Sequence, residues 1–241
     1  MITVSVRTYK PGQLGDPDRK TVLRYSGDPR GESGSDKALS ELLDTVISGS
    51  EAVLTPKVCC AECGITVGEG KVSSEFGEIE SEYLAEHLSG CSSAVFFAAT
   101  AGIGTDRAVT AMSKISPARA LLADALGSER VEALCDLFER EVTEELIKEG
   151  KTAVPRYSPG YGDFSLECQK QIINGLQCQK HIGLTLNSCL MMTPTKSVTG
   201  VIGIRDGTEE DDARDRCSNK CSGCGMKDCA FRDTGGTGRK G

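Results

Sequence analysis

The sequence predicts an α+β protein: a mixed or antiparallel sheet with flanking helices, followed by a small cysteine-rich C-terminal tail. Three observations carry this. Strand-like and helix-like runs succeed one another without the strict alternation of a doubly wound sheet. Residues 128–148 hold the clearest helical pattern, with Val131, Leu134, Cys135, Phe138, Val142 and Leu146 falling on one face at three- and four-residue spacing. After Ile204 the composition changes to the charged run DGTEEDDARDR and then to a segment almost without aliphatic residues.

In chain order, residues 2–6 and 21–25 have strand character around a Pro/Gly-rich loop. Ser35 or Asp36 caps a helix whose apolar face is Leu39, Leu42, Leu43, Val46 and Ile47. Residues 52–68 read as β structure and 78–89 as a short helix. A buried strand over 94–100 feeds the Gly102-Ile103-Gly104 loop, with Asp106 as a helix cap. Two helices follow, one near 106–126 interrupted at Pro117 and one over 128–148 that stops at Gly150. A helix over 165–174 ends at Gly175. Residues 187–204 then read as two apolar strands around a Thr-Pro-Thr-Lys turn, with Lys196 and Ser197 at its edge.

These boundaries divide the chain into a main domain at 1–205, a charged linker at 206–216 and a tail at 217–241. The 241 residues contain 38% hydrophobic residues, enough for one medium core, with no Trp and an aliphatic bias. A net charge of −7 argues against nonspecific nucleic-acid binding, which needs a basic footprint. No apolar run approaches the ~20 residues of a membrane span, and residues 1–16 lack a secretory apolar core. The expected setting is cytoplasmic, where twelve cysteines are more naturally thiols or metal ligands than disulfides.

The stretch RYSPGYGDF (156–164) carries the most chemistry. Pro159 fixes its own φ and extends Ser158, and Gly160 suits the third position of a type II turn, where φ is positive. Arg156 and Tyr161 flank the turn. A guanidinium, exposed backbone groups and a phenol together suit a small zwitterion carrying a cation.

At these residues the chain resembles the activation domain of cobalamin-dependent methionine synthase, and more closely the branch in which that domain is a separate protein. Arg156, Pro159, Gly160 and Tyr161 match the family's Arg-x-x-Pro-Gly-Tyr motif. The Lys196-Ser197-Val198 strand after a Pro turn, AVFFAATAGIGTD (94–106) and ALLADALGSERVEAL (120–134) are similar to the free-standing branch. The resemblance covers residues 20 to 205. Full-length members carry a Cys-Pro pair soon after the Tyr, where this chain reads Gly162-Asp163-Phe164-Ser165, so contacts of that part do not transfer.

The resemblance implies binding of S-adenosylmethionine through Arg156, Ser158, Pro159, Gly160 and Tyr161. It also implies reductive methylation of a cob(II)alamin held by a partner, methionine synthase or another corrinoid protein, with an electron donor such as a flavodoxin or ferredoxin. The cobalt is the nucleophile, so no catalytic acid or base is assigned.

Cys217, Cys221, Cys224 and Cys229 lie in a segment with no core of its own, the pattern expected when zinc or an iron–sulfur cluster supplies the folding energy. Their opening C-x3-C-x2-C matches the radical S-adenosylmethionine signature, but a barrel would have to follow it. Two alternative functions rest on this tail: an iron–sulfur redox module, or a zinc-stapled docking subunit for a corrinoid methyltransferase. Cys59 and Cys60 are neighbours on a strand and face opposite sides, so with Cys63 they read as core and surface thiols. Cys91, Cys135, Cys168, Cys178 and Cys189 read as small buried hydrophobes. Gly102-Ile103-Gly104 lacks the third glycine of a dinucleotide fingerprint and reads as a packing feature. His87 and His181 have no nucleophile beside them, so they read as helix surface and loop. Glu129, Glu132, Asp136, Glu139 and Glu145 read as a solvated helix face.

Overall fold

In the computed structural model, which describes residues 2–28 and 36–207, SAVFFAAT forms the strand β5 (Ser93–Thr100), buried on both faces. Alternation sends Phe96 and Ala98 to one side and Val95, Phe97 and Ala99 to the other, so β5 can stand only in mid-sheet. It pairs antiparallel with β2 (Lys57–Gly68) and with β9 (Ser197–Asp206). The short β1 (Ser5–Thr8), β3 (Lys71–Ser74) and β4 (Gly77–Glu80) extend the β2 side, and β6 (Lys151–Tyr157) closes the edge beside β9. Every pairing in this seven-stranded sheet is antiparallel, with helices on both faces: an α+β fold.

One face is covered by α5 (Pro117–Lys148), whose Leu134, Cys135, Phe138, Val142 and Leu146 meet Val58, Cys60, Val95 and Phe97. The expected stripe is thus buried throughout, with Val131 in a smaller cluster beside Leu54 and Ala101. Pro117 does not interrupt a helix. It stands in the first turn of α5, where its missing N–H costs nothing, while the preceding α4 (Ile103–Ser113) is separate. The other face packs against α3 (Glu82–His87), α6 (Gln169–Gly175) and α7 (Cys178–Ile182) through Leu84, Leu88, Ile172, Leu176 and Cys178. A third cluster joins α1 (Arg19–Tyr25), α2 (Lys37–Glu51) and the first half of α5.

Several expectations change. Residues 21–25 are helix α1 rather than strand: Asp18 caps it by accepting from Lys20 N, and Val22 and Leu23 are buried against α2 and α5. Asp36 caps α2 as expected. Residues 78–89 divide into β4 and α3, capped by Ser81. The hairpin around Thr-Pro-Thr-Lys is not formed. β8 (Met192–Thr193) pairs with β7 (Thr185–Leu186), and β9 leaves to join the main sheet. Cys189 is exposed, whereas Cys59, Cys60 and Cys63 are all buried. Glycine at 102 and 104 is a packing requirement, since a Cβ would lie 1.9 Å from Thr55 Oγ1 and 2.1 Å from the Val53 carbonyl oxygen respectively. The helix cap there is Gly102, not Asp106. His181 lies on α7 rather than in a loop. The expected linker at 206–216 begins inside the fold, since Asp206 ends β9, and its remainder from 208 onward lies outside the described residues together with Cys217, Cys221, Cys224 and Cys229.

Candidate functional site

Strand β6 ends in a bulge: Val154 pairs with Gly203 and Tyr157 with Val201, leaving Pro155 and Arg156 opposite the single residue Ile202. β6 is an edge strand, so Pro155 breaks no ladder, and the bulge re-aims Arg156 towards α5. There its backbone N–H donates to Glu139 Oε1 (2.9 Å), and its guanidinium meets Glu132 (3.1 Å), Asp136 (2.6 Å) and Glu139. The Arg156 side chain is 5% exposed. Burial works against its charge, but Cys135, Glu139 and Asp136 outweigh that and hold its pKa above the ordinary arginine value. The acidic side of α5 is therefore not simply solvated. Three of its carboxylates converge on Arg156, Glu129 is buried beside Arg130, and Glu145 pairs with Arg7.

Immediately beyond stands the turn. Tyr161 N–H donates to Ser158 O (3.3 Å) and Gly160 has φ 97°, the geometry of Pro-Gly in a type II turn. A second bond, Gly160 N–H to Phe164 O (2.7 Å), closes the loop. Tyr157 and Phe164 stack beneath it (6.2 Å between centroids), while Tyr161 is 62% exposed. His87 is not merely surface: its Nε2 lies 2.6 Å from Pro155 O and its ring lies against Tyr157.

Asp163 ties the loop to α3, accepting from Ser81 Oγ, Glu82 N (2.7 Å) and Tyr83 N (3.3 Å). The Ser81 hydroxyl above all, with those two amides, holds the Asp163 carboxyl below the usual carboxylate range. A depressed carboxyl pKa stabilises the fold above the unfolded pKa, and this contribution is lost as pH falls through the folded value. Asp163→Asn should therefore lower the melting temperature at neutral pH, with the difference from the parent shrinking as pH falls through the carboxylate range. A pH-independent difference would sink this assignment.

Beside the Arg156 cluster is a cavity of about 390 Å³ lined by Tyr25, Ser128, Val131, Glu132, Thr195, Lys196 and Ser197, with none of residues 156–161 in its wall. Glu132 is shared between the cavity wall and Arg156. The Lys196 stem crosses α5 at Gly127, where a Cβ would come within 2.9 Å of it, and its Nζ reaches Ser128 Oγ (2.9 Å) and Asp124 (2.7 Å). Ser197 Oγ donates to Pro194 O (2.8 Å) and lies 2.8 Å from Thr100 Oγ1. Asp106 accepts from Thr195 N (3.1 Å) and Thr195 Oγ1 (2.6 Å), fixing the segment that carries Lys196. Burial, then the charge of Glu132, raise the Tyr25 phenol pKa, and Tyr161 adds to this from the turn.

The fold thus brings two separately noticed motifs, Arg156–Tyr161 and Lys196–Ser197, to either side of Glu132. Tyr25, Ser128, Val131, Glu132 and Thr195 were not anticipated as site residues. A signal for Glu132 was present in the acidic run, since so many carboxylates on one helix face call for a cation. Among the described residues no cluster of three or more His, Cys, Asp or Glu side chains is arranged to hold a metal ion, and no helix is long and apolar enough to cross a membrane.

Residues 71–210 match the family model described as "Vitamin B12 dependent methionine synthase, activation domain". That span contains all four sequence blocks that carried the resemblance. Among curated proteins none matches the chain. Among solved structures, the chain is similar to one titled "Crystal Structure of the MetH Reactivation Domain bound to AdoHcy". The TM-score is 0.64 at 18% sequence identity, over 86% of this chain and 80% of that one. At that identity the likeness speaks to the fold.

Proposed function

The chain belongs to the family of vitamin B12-dependent methionine synthase activation domains, and from that membership we propose that it binds S-adenosylmethionine in the Glu132 cavity and presents the methyl group to a cobalamin held by a partner protein. The observation that carries this reading is electrostatic. Glu132, Asp136 and Glu139 surround the single guanidinium of Arg156, and Lys196 on the cavity wall is paired with Asp124, which leaves an excess of negative charge around Glu132. That excess suits a ligand bearing a sulfonium and an ammonium group. The exposed ring of Tyr161 adds a π face for the sulfonium, and the turn's backbone at Ser158 and Gly160 offers polar groups to the methionyl part. The protein of similar fold was crystallised with AdoHcy, the demethylated form of this ligand.

The reaction asks little acid–base chemistry of the chain. One electron from a donor such as a flavodoxin or ferredoxin reduces cob(II)alamin. The resulting cobalt nucleophile takes the methyl group and the sulfonium departs as a neutral thioether. The residues bind, orient the sulfonium in line and exclude water, contributions that reach several kcal/mol. Within this reading the partner is a corrinoid-bearing methionine synthase.

Calorimetry with S-adenosylmethionine tests it. The parent protein should bind, and Glu132→Gln should weaken binding about tenfold, the loss of one charge-assisted contact. No measurable binding by the parent at millimolar ligand would end the proposal.

The tail enters the same reading as a separate unit. β9 runs to Asp206 and Gly207 N–H donates to Gly150 O, so truncation after Gly207 removes nothing from the sheet. Truncated protein should bind S-adenosylmethionine with unchanged affinity and lose the zinc, or the iron and acid-labile sulfide, that Cys217, Cys221, Cys224 and Cys229 ligate in the full chain. Loss of ligand binding on truncation would show that the division is misplaced.

A further inference from the structure

On the sheet face opposite α5, two cysteines 119 positions apart in sequence place their sulfurs 3.4 Å from each other. Cys59 sits in β2 and Cys178 opens α7, and both are buried in the same apolar cluster. The next cysteine in β2 is placed differently. Cys60 points to the other face of the sheet, 3.0 Å from Ser5 Oγ. Within the pair, either S–H can donate to the other sulfur. The contact eases loss of the pair's first proton and opposes loss of its second.

Both residues are fully buried, and they differ in what lies beside them. Cys178 lines an open cavity of about 630 Å³ together with Lys170, Asn174, Gln177, Lys180 and Leu184, and Cys59 does not. The local backbone holds Cys178 in this place. Gln177 before it is left-handed at φ 48° and Gly183 ends α7 at φ 71°, so α7 is a five-residue insert pinned at both ends.

We propose that Cys59 and Cys178 are a redox-active thiol pair that a small hydroperoxide, entering through the 630 Å³ cavity, closes to a disulfide between β2 and α7. The steps balance with that oxidant alone. The Cys178 sulfur attacks one peroxide oxygen and the O–O bond breaks. Its thiol proton leaves with the departing hydroxide as water, and Cys178 becomes a sulfenic acid. The Cys59 sulfur then attacks the sulfenic sulfur. The S–O bond breaks, the S–S bond forms and the Cys59 proton leaves in a second water. Two electrons have passed from two thiols to one peroxide, and a dithiol reductant returns them. The segment that would be fixed, α6 to β8, joins the Ser158–Tyr161 turn to the Thr195–Ser197 wall, so the bond ties the connection between the two halves of the candidate site to the sheet.

The test uses the full chain, reduced and then exposed to hydrogen peroxide, trapped with N-ethylmaleimide and digested with trypsin. Cys178 falls alone in the peptide 171–180, and Cys59 in 58–71 with Cys60 and Cys63. The expected product is these two peptides joined, with fragmentation placing the bond on Cys59 and dithiothreitol releasing it. Cys178→Ser should abolish the product. Because mapping the parent protein decides the matter, the result does not depend on that variant folding. Recovery of 171–180 as alkylated thiol, as sulfinic acid or bonded to any other cysteine would overturn the proposal.

Discussion

Arg156→Ala is expected to cost about 3 kcal/mol of folding stability, measured by urea unfolding, and to weaken S-adenosylmethionine binding in parallel. Removing one member of a buried ion pair strands its partners, at a cost of about 3–5 kcal/mol. Here one guanidinium serves Glu132, Asp136 and Glu139. The lower end applies because the Asp136 side chain is 64% exposed and can return to water, whereas that of Glu139 is 21% exposed and cannot do so fully. Arg156→Lys should recover only part of the loss, since one ammonium cannot meet three carboxylates in the plane that a guanidinium fork reaches. Binding suffers because Glu132, released from Arg156, no longer holds its place in the cavity wall. A change in stability below about 1 kcal/mol would show that the cluster is a solvated surface network.

That cluster also marks where sequence reading stopped. Periodicity reports which face of a helix is apolar, so the stripe from Val131 to Leu146 was legible. Proline and glycine report φ, so the Ser158–Tyr161 turn was legible too. Neither signal reports partners distant in sequence. Glu139 and Glu132 meet a cation 17 and 24 positions away, and Asp106 holds Thr195 from 89 positions away. These links exist only once β6 and β9 have come together. For the same reason residues 21–25, rich in strand-favouring types, misled: Asp18 and burial against α2 and α5 decide for helix over local preference. The Thr-Pro-Thr-Lys stretch looked like a hairpin because two apolar runs flank it. Strand partners are set by the whole sheet, and β9 finds β5 and β6 there.

The last prediction concerns a second buried arginine. Arg130→Ala should destabilise the protein by about 3–5 kcal/mol, because Arg130 is 1% exposed and its partner Glu129 would be left buried and uncompensated. The pair also anchors the N-terminal segment. Arg130 Nη1 donates to Gly15 O (2.7 Å), and Asp18 N–H donates to Glu129 Oε1 (3.1 Å), just ahead of the helix that ends in Tyr25. Amide hydrogen exchange should therefore accelerate across residues 15–28 more than in β5, and the cavity should lose the Tyr25 wall. The double variant Glu129→Gln/Arg130→Met removes both charges, keeps an acceptor for Asp18 N–H and refills the arginine's volume with apolar atoms. It should regain much of the stability lost by Arg130→Ala, since a buried pair replaced as a unit is often near neutral. Equal instability of the double and single variants would place the energy in the Gly15 contact rather than in the stranded carboxylate.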